Sequence, residues 1–120
     1  MTTFTIIASH HVDAASEHYA SVAAYMAEHG APEIRAWWSD DCGAWVAVEG
    51  SHRLAIAHAT GVTPVIVDVG ESDADRAEAL RTSDIDEGAL YGRRDDDDSD
   101  IVAWWESYRR TVDAPSYDFE

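Results

Sequence analysis

Gly50-Ser51-His52-Arg53 brings together four residues suited to holding an anion. Arg53 carries a planar fork of donors that meets phosphate or carboxylate oxygens two at a time. His52 donates a hydrogen bond, and near neutral pH it also serves as acid or base. Gly50 has no side chain, so the backbone there can approach a ligand closely. Ser51 offers a hydroxyl that caps a helix or donates to a ligand oxygen. Glu49, one residue earlier, would hold Mg²⁺ or act as a general base beside bound phosphates. Each residue also has a plain structural role: Ser51 as an N-cap, His52 as a core histidine, Arg53 as an ion-pair partner and Glu49 as a strand-end charge. Arg35 is a second phosphate ligand if the chain curls over the site, and otherwise a surface ion pair.

The flanking pattern positions these residues. Ala44–Glu49 reads as a strand and residues 51–60 as a short alanine-rich helix, so the four residues fall at a strand-to-helix junction. The first turn of a helix has free N–H groups and partial positive charge, which together bind phosphate or another anion. On the wheel of this helix Ala55, Ile56 and Ala59 share an apolar face, with His52 on the same face at the first turn. Arg53 points about 100° away. Gly61 suits the residue after the helix. Pro64–Val69 is a nearly continuous apolar run, which predicts a strand buried on both faces. Upstream, Ile34–Trp38 reads as a strand, and the turn at 39–43 makes it one arm of an antiparallel hairpin with the strand from Ala44.

Elsewhere, Phe4–Ala8 is β-prone. Val12, Ala15, Tyr19, Val22 and Met26 form one helical stripe, with Asp13 as the expected N-cap and Gly30 and Pro32 ending the helix. Ser72 to Arg81 predicts a helix with Asp75 near the capping-box position. Ile85–Tyr91 has no clear pattern, and Asp95–Asp98 is a charge run. Residues 99–111 predict a final helix with Ile101, Trp104, Trp105 and Tyr108 on one stripe. One member of each pair Trp37-Trp38 and Trp104-Trp105 must face outward. The tail 113–120 is expected to lack regular structure. The whole is expected to be one α/β domain over 1–120, a mixed sheet with N-terminal, central and C-terminal helices.

Charge narrows the partners. The chain carries −16 with neutral histidines, and its eight basic residues are all arginine. Such a field repels DNA, RNA and anionic membranes. A basic protein partner is the expected macromolecular complement. A salt-rich cytoplasm and a GC-rich genome both account for the composition. Cys42 is the only cysteine, so no internal disulfide forms and a reducing cytoplasm is expected. No secretory signal or membrane span is expected. His10, His11, His18, His29 and His58 match no zinc spacing, although His10 or His11 is within reach of the anion site if the first strand ends beside it.

Glu49-Gly50-Ser51-His52-Arg53-Leu54-Ala55-Ile56-Ala57, with Pro64-Val65-Ile66-Val67 beyond, resembles the Gly-x-His-Arg-Leu-x-Ala-Ala segment of the ParB/sulfiredoxin-like superfamily. The resemblance covers about residues 34–69, under a third of the chain. It implies a small α/β fold in which Gly50, His52 and Arg53 hold nucleotide phosphates, with Ser51 contributing its backbone N–H. It implies ATP or CTP as ligand, Mg²⁺ as companion ion, and hydrolysis or phosphoryl transfer as the reaction where there is one. Two departures limit it. The reactive cysteine of sulfiredoxins is replaced by Ser51, which argues against that chemistry. The helix-turn-helix and dimerisation regions of partitioning proteins have no counterpart, which leaves a non-enzymatic acidic interaction or regulatory protein as the alternative.

Overall fold

Residues 3–83, 90, 92–112 and 114–120 are described in a computed structural model. The hairpin expected around residues 39–43 is present: β2 (Glu33–Ser39) runs antiparallel to β3 (Ala44–Ala47), with Trp38 opposite Trp45. β1 (Phe4–Ile7) lies parallel to β3, and β4 (Val65–Asp68) lies parallel to β2. The last strand, β5 (Ser116–Phe119), pairs antiparallel with β1. The mixed sheet has the order β4-β2-β3-β1-β5. Its helices are α1 (Glu17–His29), α2 (Ser51–Thr60), α3 (Asp73–Arg81) and α4 (Asp98–Thr111).

The sheet separates two cores. Ile6, Ile34 and Ala47 pack with Met26 of α1 and with Leu54, Ile56 and Ala57 of α2. Trp37 and Val48 pack with Ala77 and Leu80 of α3 and with Ile101 and Trp105 of α4. Ile34 and Trp37 are three apart on one strand, so they point to opposite faces. The result is a mixed α/β domain with a helix pair on each side. Trp37 and Trp105 are buried, while Trp38 is exposed and Trp104 half-buried. Gly70 lets β4's exit pass over Trp37; a Cβ there would lie 2.5 Å from the Trp37 Cβ.

Four expectations are corrected. The tail is not irregular: Ser116–Phe119 alternates polar and aromatic residues, and Phe119 turns inward as the Phe4 and Phe119 rings meet at 5.9 Å. The run at Pro64–Val69 is not buried on both faces. β4 is an edge strand, with Val65 52% and Val67 37% exposed, because an apolar run reports β-propensity and not the number of neighbours. Asp13 does not cap α1. It forms a turn whose carbonyl accepts from the Ser16 hydroxyl, and Ser16 is the cap, accepting from Tyr19 N–H. On α2 the buried stripe is Ser51, Leu54, Ile56 and Ala57, rotated from the one expected, so His52 stands beside the core instead of in it. The segment Ile85–Tyr91 lies outside the described residues except for Leu90, which is buried in the second core. The Asp95–Asp98 charge run leads into α4, with Asp97 at the N-cap and Asp98 in the first turn; Arg81 donates to the carbonyls of Arg94 and Asp96 and pairs with Asp98 at 2.8 Å.

A histidine-lined cavity at the N-terminus of α2

β3 stops at Ala47, and Gly50 turns the chain into α2 with φ 88° and ψ 26°, the left-handed region that favours glycine. A Cβ at Gly50 would lie 2.8 Å from Ile34 Cδ1, so the close neighbour that requires glycine is the core itself. Gly50 is also the N-cap, and it supplies no side-chain cap. The helical ladder begins with Leu54 N–H donating to Gly50 O. The N–H groups of Ser51, His52 and Arg53 fall ahead of that ladder, as anion binding at a helix start requires.

Ser51 is not the N-cap expected of it. Its side chain is 1% exposed, and its Oγ accepts from Ser9 N–H at 3.0 Å and from His10 N–H at 3.3 Å. With both lone pairs engaged, its own proton goes to Ser9 Oγ, 2.8 Å away. Ser51 therefore latches the exit of β1 to the start of α2 and is not presented to a ligand. Ser51→Ala would strand the buried Ser9 N–H and the part-buried His10 N–H, and we expect it to cost about 1–3 kcal/mol. Urea unfolding midpoints check this, with loss of the His10–His52 ring contact in NMR spectra as the local sign.

The latch brings His10 beside His52, with ring centroids 5.7 Å apart. His18, on the first turn of α1, meets His52 edge-on at 4.4 Å. The three rings face a cavity of about 570 Å³ whose wall also includes Glu49, Arg53, Val22, Trp105 and Tyr108. His52 is held below the usual imidazole range, first by burial and then by the neighbouring charges of His18 and His10. His10 Nδ1 lies 2.7 Å from the His11 carbonyl, which only accepts, so Nδ1 carries the proton and Nε2 keeps the free lone pair. Trp105 is 1% exposed, and its indole N–H has no partner among the described residues.

Arg53 is exposed at the cavity edge, with Nη1 donating to Glu33 O at 3.1 Å. That single bond to a neutral acceptor leaves most of its fork available. Glu49 reaches the cavity too, but Arg35 grips one of its oxygens through Nε at 3.0 Å and Nη2 at 2.6 Å. Arg35 also donates to Thr82 Oγ1 at 2.7 Å. Arg35 is thus an ion pair and not a second phosphate ligand. Among the described residues no group of three or more His, Cys, Asp or Glu is placed to hold a metal ion. Glu49, the carboxylate expected beside Mg²⁺, is engaged by Arg35.

The sequence reading placed Glu49, Gly50, Ser51, His52 and Arg53 near one another, with His10 or His11 within reach; the first five and His10 border this cavity, and His11 does not. It missed the part played by His18, Trp105 and Tyr108. Their only sequence signal was polarity or an aromatic ring on an amphipathic helix, and the tertiary fold supplies the rest. No family model, curated protein or solved structure matches this chain. The resemblance over about residues 34–69 therefore stands on the sequence alone.

Cys42 lies on the hairpin turn and is not part of the cavity wall. The Arg109 guanidinium donates to its Sγ at 3.2 Å and, ahead of Ser39, lowers the thiol from its ordinary range. The exposed thiol should therefore react with iodoacetamide faster at neutral pH than a free cysteine. Arg109→Gln should slow that reaction severalfold, as followed by mass spectrometry over time.

No helix among the described residues is long and apolar enough to cross a membrane.

Proposed function

We propose that the cavity at the start of α2 binds a phosphate-bearing small molecule of about mononucleotide size. One observation carries the reading: Arg53, three imidazoles and the N-terminal turn of α2 converge on one cavity in a chain of net charge −16. In so acidic a chain, a concavity that gathers an arginine, three imidazoles able to take up protons and the free N–H groups of a helix start is the place best suited to an anion. The volume, about 570 Å³, lies within the range usual for small-molecule sites.

In this reading the helix-start N–H groups and Arg53 hold the phosphate, and Tyr108 and Trp105 form the apolar wall. His52, kept neutral by its surroundings, is the general acid–base group if the bound phosphate reacts by hydrolysis or transfer. Glu49 serves to fix Arg35 and the end of β3 and is the weaker candidate base. The resemblance to ParB/sulfiredoxin-like proteins favours ATP or CTP among the ligands, and a cytoplasmic setting fits a lone thiol.

The test measures ATP, ADP, CTP and GTP binding to the native chain and to Arg53→Ala, with and without Mg²⁺, at low and moderate salt. The expected result is binding of at least one nucleotide, weakened by the substitution. Failure of all four under every condition removes the nucleotide reading. Capture of one basic protein through the acidic surface, with no nucleotide binding, supports the second reading of a scaffold kept for protein contact, which the charge of −16 favours.

A further inference from the structure

The three histidines of the cavity come from three separate elements: His10 from the exit of β1, His18 from the first turn of α1 and His52 from the first turn of α2. Such convergence is costly without a function. Imidazoliums at centroid distances of 4.4 and 5.7 Å repel one another, so each proton added to the empty cluster disfavours the next. The other charged or titratable groups of the cavity wall are Arg53 on α2, Glu49 beyond β3 and Tyr108 on α4. Glu49 is already matched by Arg35. Arg53 is thus the one permanent cation that the described wall brings to a ligand. It balances a singly charged anion. A second negative charge must be met by a proton, and the imidazoles are the groups that can take it up.

We infer that the site selects doubly charged phosphate-monoester groups over singly charged diesters or carboxylates, by taking protons onto the His10–His18–His52 cluster as the ligand enters. The inference rests on the cavity being an anion site, as proposed above. Protons come from solvent and go to imidazole nitrogens, Nε2 in the case of His10; no covalent bond changes. An anion between the rings offsets that repulsion, so anion binding and proton uptake favour each other. By linkage the same anion then binds more tightly as pH falls. The direction follows from the signs: the bound state holds more protons than the empty state, so acid favours it.

Sulfate and methyl sulfate are the probes, because their charges of −2 and −1 do not change between about pH 5 and 9. Binding is measured by calorimetry at about pH 6, 7 and 8 and fixed ionic strength, in two buffers of different ionisation heat, which counts the protons taken up. Sulfate affinity is expected to rise by about tenfold per pH unit for one proton taken up, while methyl sulfate stays nearly flat. His18→Gln should flatten the sulfate slope. His11→Gln, outside the cavity, should leave it unchanged and so controls for the overall charge. His18 is exposed, so its substitution should not unfold the protein. Imidazole proton resonances of the native chain give an independent reading, with His52 titrating at higher pH in sulfate. Equal sulfate affinity at all three pH values overturns the inference, as does a slope unchanged in His18→Gln. Absence of sulfate binding in a protein that binds a nucleotide also overturns it. Absence of all anion binding, nucleotides included, instead removes the site proposed above.

Discussion

Trp105→Ala is expected to lower the unfolding free energy by about 3–5 kcal/mol. Trp105 is 1% exposed and joins α3, α4 and the sheet in the second core, where no smaller side chain can fill its volume. Stabilities of domains this size run to about 5–15 kcal/mol, so the variant should be close to unfolded under mild denaturant. Trp105→Phe separates the bulk of the ring from its N–H. That N–H has no partner among the described residues, so the substitution loses no visible hydrogen bond, and it should cost clearly less than the alanine variant because the smaller cavity it leaves sets the loss. Urea midpoints with unchanged slopes would confirm the difference. Trp105 also walls the cavity, so weaker ligand binding in the well-folded Phe variant would place the N–H on the ligand.

The elements around this residue differ in how plainly the chain announces them. α4 was legible because Ile101, Trp104, Trp105 and Tyr108 recur at helical spacing and acidic residues open the helix. The β2–β3–α2 passage was legible because its hydrophobic period changes at Gly50, where the chain needs a positive φ. β5 left a signal that was too short to stand out: two aromatics in alternation, Tyr117 and Phe119, after a proline. The edge position of β4 left none, since sheet order depends on which strands meet and Val-Ile-Val reads the same at an edge or a centre. The histidine cluster was half legible. Its His52 sits in a recognisable turn, but its His18 reaches the site only because α1 packs against α2. The role of Ser51 as a latch to Ser9 and His10 depends on a contact across about forty positions, which no local pattern contains.

Arg53→Ala is expected to weaken binding of a phosphate ligand by about 10- to 100-fold while leaving the fold intact. Hydrogen bonds to charged partners are worth about 1.5–3 kcal/mol each, and the fork can make two. Stability should change by no more than about 0.5 kcal/mol, because the side chain is exposed and gives up one bond, to the Glu33 carbonyl. Arg53→Lys should recover only part of the affinity, since an ammonium keeps the charge and loses the planar pairing. Salt adds a sign that distinguishes this site from most anion sites. At low ionic strength the net charge of −16 repels the ligand, so moderate salt should first strengthen binding before ion competition weakens it. Titrations of the native chain and both variants against one nucleotide, at low and at about 0.15 M salt, check affinity and sign together; thermal melts check the fold.

The pairing of β1 with β5 sets the order in which the chain can be completed. Thr5 bonds Asp118 across 113 positions of sequence, and β1, which lies between β5 and β3, is the strand that leads to His10. During synthesis β1 emerges early and must wait, one flank open, until residues 116–119 have been made. Closing so long a loop is slow, and an open flank recruits other strands meanwhile. Nascent chains halted before residue 116 should therefore be the ones that associate, and the cavity beside His10 should be among the last parts of the molecule to become rigid.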